Sequence, residues 1–176
     1  MKLRELNRLP AAEAERAMLD CCGSRRWART MTAARPFADL DTLRARAEHE
    51  WWKLSPSDWL EAFRAHPRIG EQKGGGGDGD GAGERAASWS AGEQAGVALA
   101  DDGLRDELAA ANRAYDERFG HIYIVCASGK SARQMLADLR TRLDNSADEE
   151  MRVAAGEQAA ITRLRLEKLL AEEMEE

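Results

Sequence analysis

Apolar residues in this chain recur mostly at three- and four-residue spacing, the period of a helix that buries one face. Ala11, Ala14, Met18 and Cys22 form the first stripe, with Pro10 suited to a first helical turn and Gly23 closing the segment. Ser24 can cap a short helix carrying Trp27 and Met31. After Arg35, Pro36 and Phe37, a longer stripe runs through Leu40, Leu43, Ala47, Trp51 and Leu54. Next, Ser55 reads as an N-cap, Pro56 as a first helical residue and Asp58 as a first-turn acid, followed by Trp59, Leu60 and Phe63. Pro67 disfavours helical geometry at the residue before it, so this helix should end at or just before His66. The tetrad Ser-Ala-Gly-Glu at 90–93 fits a capping box, so a helix is expected to begin there. Leu104, Leu108, Ala111, Tyr115 and Phe119 make a further stripe, with Gly120 as its stop. Two more helices are predicted, one with Met135, Leu136, Leu139 and Leu143, the other from about Ala147 onward.

Two stretches break the helical period. Ile-Tyr-Ile-Val-Cys-Ala at 122–127 looks like a strand, but one strand has no ladder partner. The expectation is an extended buried segment inside an all-α, single-domain bundle of about seven to nine helices spanning 1–176. The second stretch, Gly74 to Gly83, is a flexible glycine-rich loop by composition.

Charge narrows the function classes. Acids outnumber bases 32 to 26, a net charge of -6 without a basic stripe, which argues against nucleic-acid binding. No run approaches the roughly 18 apolar residues of a membrane helix. The N-terminal stretch lacks the apolar core of a secretory signal, and the ending Ala-Glu-Glu-Met-Glu-Glu carries no targeting address, so the expected location is the cytoplasm. Cys21, Cys22 and Cys126 lack metal-site spacing and read as buried structural thiols, so no metal site is expected.

Three motif-like stretches fail on context. Gly74, Gly76 and Gly79 satisfy G-x-G-x-x-G, but they follow a helix end rather than a strand. Asp78 and Asp80 do not supply the set of oxygens that a calcium loop needs. Ser-Gly-Lys-Ser at 128–131 would be a P-loop only if glycine stood where Ile124 is, so Ser128 or Ser131 reads more simply as a helix cap. Among the three histidines, His49 lies between Glu48 and Glu50 and reads as a surface residue, and His121 follows Gly120 in a turn. His66 stands at a helix C-terminus, where free carbonyls favour imidazolium and so a proton donor near neutral pH. Glu93 reads either as half of the capping box or as a ligand-binding carboxylate, and a helix start at Ser90 would also attract anions.

An ordered set of segments carries a family likeness. It comprises LNRLP at 6–10, CCGSRRW at 21–27, RPF at 35–37, WWKLSPSDWLEAF at 51–63 and HPRIG at 66–70. It continues with SAGEQAGV at 90–97, FGHIYIVCASGKSARQML at 119–136 and GEQAAITRLRLEKLL at 156–170. With these the chain resembles the OHCU (2-oxo-4-hydroxy-4-carboxy-5-ureidoimidazoline) decarboxylases of urate degradation, over nearly its whole length except the glycine loop. The resemblance implies an all-helical enzyme without cofactor that converts OHCU to (S)-allantoin and carbon dioxide. It makes His66 the catalytic histidine and puts Pro67 and the segment Ser90, Ala91, Gly92, Glu93 and Gln94 in the substrate site. Within that segment Glu93 is expected to act with His66, binding hydroxyl or ureido donors and keeping the imidazole charged. It adds the extended segment Tyr123, Ile124, Val125, Cys126 and Ala127, and a C-terminal arginine, Arg163 or Arg165, of which Arg165 is preferred. It also suggests a homodimer. His121 and Ile122 depart from the aromatic-proline pair that family members often carry after Phe-Gly. The competing expectations are a non-catalytic helical ureide-binding module, or a lyase or hydrolase acting on a related ureide.

Overall fold

The computed structural model describes residues 1–70 and 83–171. Among these residues there are ten helices and no strand. They are α1 (Leu3–Leu6), α2 (Ala11–Cys21), α3 (Arg25–Ala33), α4 (Leu40–Trp52), α5 (Pro56–Arg64), α6 (Glu84–Glu93), α7 (Ala95–Ala98), α8 (Asp102–Phe119), α9 (Ala132–Arg142) and α10 (Ala147–Ala171). The all-α expectation holds. The count exceeds the expected range because α1 and α7 have four residues each, too few for a periodic stripe to show.

Several predicted ends fall where the cap chemistry put them. Ser24 Oγ accepts from the Trp27 N–H, and Ser131 Oγ accepts from the Gln134 N–H. Ser55 and Asp58 form a reciprocal capping box with Pro56 in the first turn. Gly120 ends α8 with φ of 73°, a left-handed conformation that glycine adopts without a Cβ penalty. The segment 74–82 of the expected flexible loop lies outside the described residues.

One prediction is corrected. Ser90 does not start a helix; α6 begins at Glu84, and Ser90 and Glu93 sit in its last turns. Ala86 and Trp89 are buried, so packing extends the helix upstream of the Ser-x-x-Glu tetrad. Ser90 Oγ accepts from Arg165 Nη2 at 2.9 Å instead of capping a backbone N–H. The local motif lost to tertiary contacts, as propensity-level signals often do.

Among the described residues two apolar cores make up the interior. The larger gathers Met18, Trp27, Met31, Leu43, Trp51, Phe63, Ala155 and Leu166 from α2, α3, α4, α5 and α10. Trp27 and Trp51 are buried with their indole N–H groups donating to the carbonyls of Ala47 and Ala155, at 3.0 and 2.9 Å. Leaving such a donor unmet would cost about 1–3 kcal/mol. The second core packs Leu108 and Tyr115 of α8 against Met135 and Leu139 of α9. Residues 122–127 run between the cores. Ile124 belongs to the larger core, with Ile122 and Cys126 packed against it, while Tyr123, Val125 and Ala127 belong to the smaller. The strand-like run therefore alternates between two apolar environments, which is why both of its faces are apolar without any sheet.

Candidate active site

His66 is placed by the end of α5. Its N–H donates to the Phe63 carbonyl at 3.1 Å, and Pro67 then turns the chain away. The α2–α3 turn fixes this end from behind: a Cβ on Gly23 would lie 2.4 Å from the Ala65 Cβ, so only glycine allows the approach. On the far side, the His66 Nε2 lies 2.7 Å from Gln158 Oε1 of α10, and Gln158 is fully buried.

A cleft opens in front of the ring. Its walls are His66 and Pro67, Ile69, Ser90, Glu93 and Gln94, the extended residues Tyr123, Ile124, Val125 and Ala127, and Ile161 of α10. It measures about 330 Å³ counting its open mouth. Gln94 Oε1 accepts from the Gly70 N–H at 3.1 Å, tying the segment after His66 to the end of α6.

Glu93 is the charged wall. A carboxylate in the last turn of a helix faces the negative end of the helix dipole, so it needs cations beside it. Arg165 supplies two bonds, Nε to Oε1 at 3.1 Å and Nη2 to Oε2 at 2.9 Å, and Lys168 Nζ adds a third at 3.0 Å. Burial works to raise the Glu93 pKa, but Arg165 and Lys168 outweigh it and hold the carboxyl below its ordinary value. Arg165 also donates to the Asp20 carbonyl at 3.3 Å. Asp20 itself pairs with Arg85, which leaves two cations facing the single carboxylate of Glu93.

The extended segment is held by its backbone. Arg142 Nη1 donates to the Ile124 carbonyl at 2.7 Å, and the Cys126 N–H donates to Glu157 Oε2 at 2.6 Å. In extended chain, the polar groups of successive residues point to opposite edges. Pinning residues 124 and 126 on one edge turns the amide groups of Val125 to the other.

Of the residues expected in a site, the structure brings His66, Pro67, Ser90, Glu93, Gln94, Tyr123, Ile124, Val125 and Ala127 to one cleft. Arg165 stands behind Ser90 and Glu93 rather than on the wall, with its guanidinium engaged by them. Ala91 and Gly92 are exposed on the outer side of α6, and Cys126 is half-buried with its amide on Glu157. Arg163 is exposed and pairs with Glu167. His49 is exposed, while His121 packs among Phe63, Tyr115 and Phe119. Burial raises the pKa of all three thiols, Cys22 to about 11, so they are protonated near neutral pH. Among the described residues no group of three His, Cys, Asp or Glu side chains is placed to hold a metal ion.

The sequence reading missed Gln158, Thr162, Glu157, Ile161 and Lys168. A signal for three of them existed. Gln158, Ile161, Thr162 and Arg165 fall at i, i+3, i+4 and i+7, one helical stripe, and polar residues on a buried stripe call for partners.

The sequence profile of the OHCU decarboxylase family matches residues 7–167. The chain is 35% identical over 153 residues to an Arabidopsis thaliana protein, the uric acid degradation bifunctional protein TTL, covering 86% of this chain and 46% of that protein. It therefore spans about half the length of the plant relative. It is 28% identical over 145 residues to a Haloferax volcanii 2-oxo-4-hydroxy-4-carboxy-5-ureidoimidazoline decarboxylase, covering 80% of this chain and 79% of that one. Among solved structures, an OHCU decarboxylase crystallised in the presence of (S)-allantoin superposes with a TM-score of 0.72 at 34% identity, covering 86% of this chain and 94% of that one.

Proposed function

Because the chain belongs to the OHCU decarboxylase family, we propose that it converts OHCU to (S)-allantoin and carbon dioxide, acting in urate degradation without a cofactor. The observation that carries the reading is the single cleft that joins His66, Glu93 and the extended segment, backed by Arg165.

The substrate carries a carboxylate and a hydroxyl on one ring carbon, next to the carbon that bears the ureido group. When the bond to the carboxylate breaks, carbon dioxide leaves and the electron pair moves toward the neighbouring ring C=N. The ring is its own electron sink. One proton is consumed per turnover, because a carboxylate departs as a neutral gas. A proton arriving at the ureido-bearing carbon from one face only gives a single enantiomer.

His66 supplies that proton as the acid of the cleft. Glu93, ionised against Arg165 and Lys168, accepts hydrogen bonds from the hydroxyl or ureido donors. Arg165 and Lys168 offset the charge of Glu93, which lets the substrate carboxylate enter beside it. Ser90, Gln94 and the amide groups around Val125 offer hydrogen bonds to the ring edges, and Pro67 and Ile161 close the apolar sides.

The test is direct. Substrate is generated freshly from urate, the protein is added, and the circular dichroism of the allantoin formed is followed. The wild-type chain should hasten formation of the S enantiomer, and His66→Asn should slow it by about 10²–10⁴-fold. Full activity in His66→Asn would remove the histidine from the chemistry. Wild-type protein that never exceeded the spontaneous rate would remove the function. The reading includes a cytoplasmic protein acting as a homodimer, which light scattering can check. Among the described residues no helix is long and apolar enough to cross a membrane.

A further inference from the structure

We propose that Gln158 is a positioning residue that fixes which nitrogen of His66 carries the proton. The inference rests on the reading of His66 as the acid of the cleft.

The imidazole Nε2 lies 2.7 Å from Gln158 Oε1, and the other end of the amide, Nε2, donates to Thr162 Oγ1 at 3.2 Å. Gln158 is completely buried and Thr162 is 5% exposed, so water does not replace either bond. Thr162 also bonds to the Cys22 thiol, itself completely buried. An amide oxygen has lone pairs and no proton to give. The imidazole nitrogen that faces it must therefore carry hydrogen, whether the ring is neutral or charged. The arrangement selects the Nε2–H tautomer, whose acceptor nitrogen in the neutral ring is Nδ1. A neutral acceptor does this without adding a charge. A carboxylate in the same place would also hold the proton on Nε2, but it would favour imidazolium as well.

α10 explains the precision of the arrangement. Gln158, Thr162 and Arg165 lie on one stripe of a single helix, and Glu157 is next to it in sequence. One rigid element thus aligns the histidine, the carboxylate and the extended segment.

Nitrogen-15 spectra of the imidazole side chains test the assignment independently of turnover. The chain has three histidines, and the signals lost in His66→Asn identify His66. Above its pKa, wild-type His66 should show the Nε2–H pattern. Gln158→Leu keeps the size and removes the acceptor; it should lose that pattern and lower kcat by about 10²-fold, with KM changing much less. Gln158→Glu restores the acceptor. It should keep the Nε2–H pattern, recover much of kcat, and move the basic limb of the pH–rate profile upward because the carboxylate stabilises imidazolium. A wild-type Nδ1–H pattern would overturn the proposal. So would an unchanged pattern or unchanged kcat in Gln158→Leu. Thermal melts of both variants separate loss of folding from loss of orientation, and if Gln158→Leu does not fold, the wild-type spectrum and Gln158→Glu decide. If wild-type protein lacks the decarboxylase activity, the proposed function fails while the tautomer result still judges Gln158.

Discussion

Two arginines in this molecule have nearly the same surroundings and different consequences. Arg142 and Arg165 are each 4% exposed. Each meets a carboxylate, a hydroxyl and a backbone carbonyl. For Arg142 these are Glu150, Tyr115 and Ile124; for Arg165 they are Glu93, Ser90 and Asp20. The difference lies on the far side of the partners. Arg142 also reaches the half-exposed Asp138, but Glu150 is completely buried and is further bound by Asn145 and by the Tyr115 hydroxyl, so the Glu150 carboxylate is closed off from water. Burial and the Glu150 carboxylate also push the Tyr115 pKa far up, which keeps its proton in place. Ser90 and Glu93, in contrast, line a cleft. A buried ion pair is therefore no sign of function by itself. What marks the Arg165 cluster is that its carboxylate and hydroxyl, Glu93 and Ser90, face space that a ligand can enter, whereas Glu150 does not.

The contrast can be broken in four measurements. The largest effect is expected for Arg142→Met, which leaves Glu150 charged with no way to water. Urea unfolding should show a loss of roughly 3–5 kcal/mol. Arg165→Met should act mainly on turnover, lowering kcat/KM by about 10²-fold, or about 2.7 kcal/mol of transition-state stabilisation. Its stability cost should be smaller than that of Arg142→Met, because Lys168 remains on Glu93 and the cleft is open to solvent. Equal stability losses in the two variants, with turnover intact in Arg165→Met, would erase the distinction.

A pH series sharpens the same point. Glu93 is held below its ordinary value of 4.5 in the folded chain. A lowered folded pKa means that its ionised pair stabilises the fold fully above that value and loses the contribution as pH falls through the depressed folded value. The melting temperature of wild-type protein should fall in that acid range, and Glu93→Gln should flatten this part of the curve. The smallest effect belongs to Lys168→Met. Its side chain is 37% exposed, so removing it should cost roughly 0.2–1 kcal/mol by denaturant unfolding.

How much of the site was legible follows from the range of the forces that build it. The helix ends at Ser24, Ser55, Ser131 and Gly120 were readable because a cap depends on residues within one turn. His66 at a helix end before proline was readable for the same reason. The tetrad at 90–93 misled because its local chemistry supports a cap, while Trp89 and Arg165 support the end of a longer helix. Buried tertiary contacts prevailed over a motif worth about 1 kcal/mol. Gln158 stayed hidden for another reason. A glutamine on a helix has no local signature of its partner, and that partner lies 92 positions away in sequence.

The sequence by itself determined the helical class, most helix boundaries, the extended run at 122–127 and the histidine at the end of α5. These depend on period and on near neighbours. The tertiary structure decided that Glu93 closes a helix rather than opening one, that Arg165 stands behind the cleft wall, and that Gln158 reaches His66. Each of these is a choice of partner among buried polar groups. Burial makes the choice matter, since an unpaired donor or charge in the interior costs more than any local propensity returns.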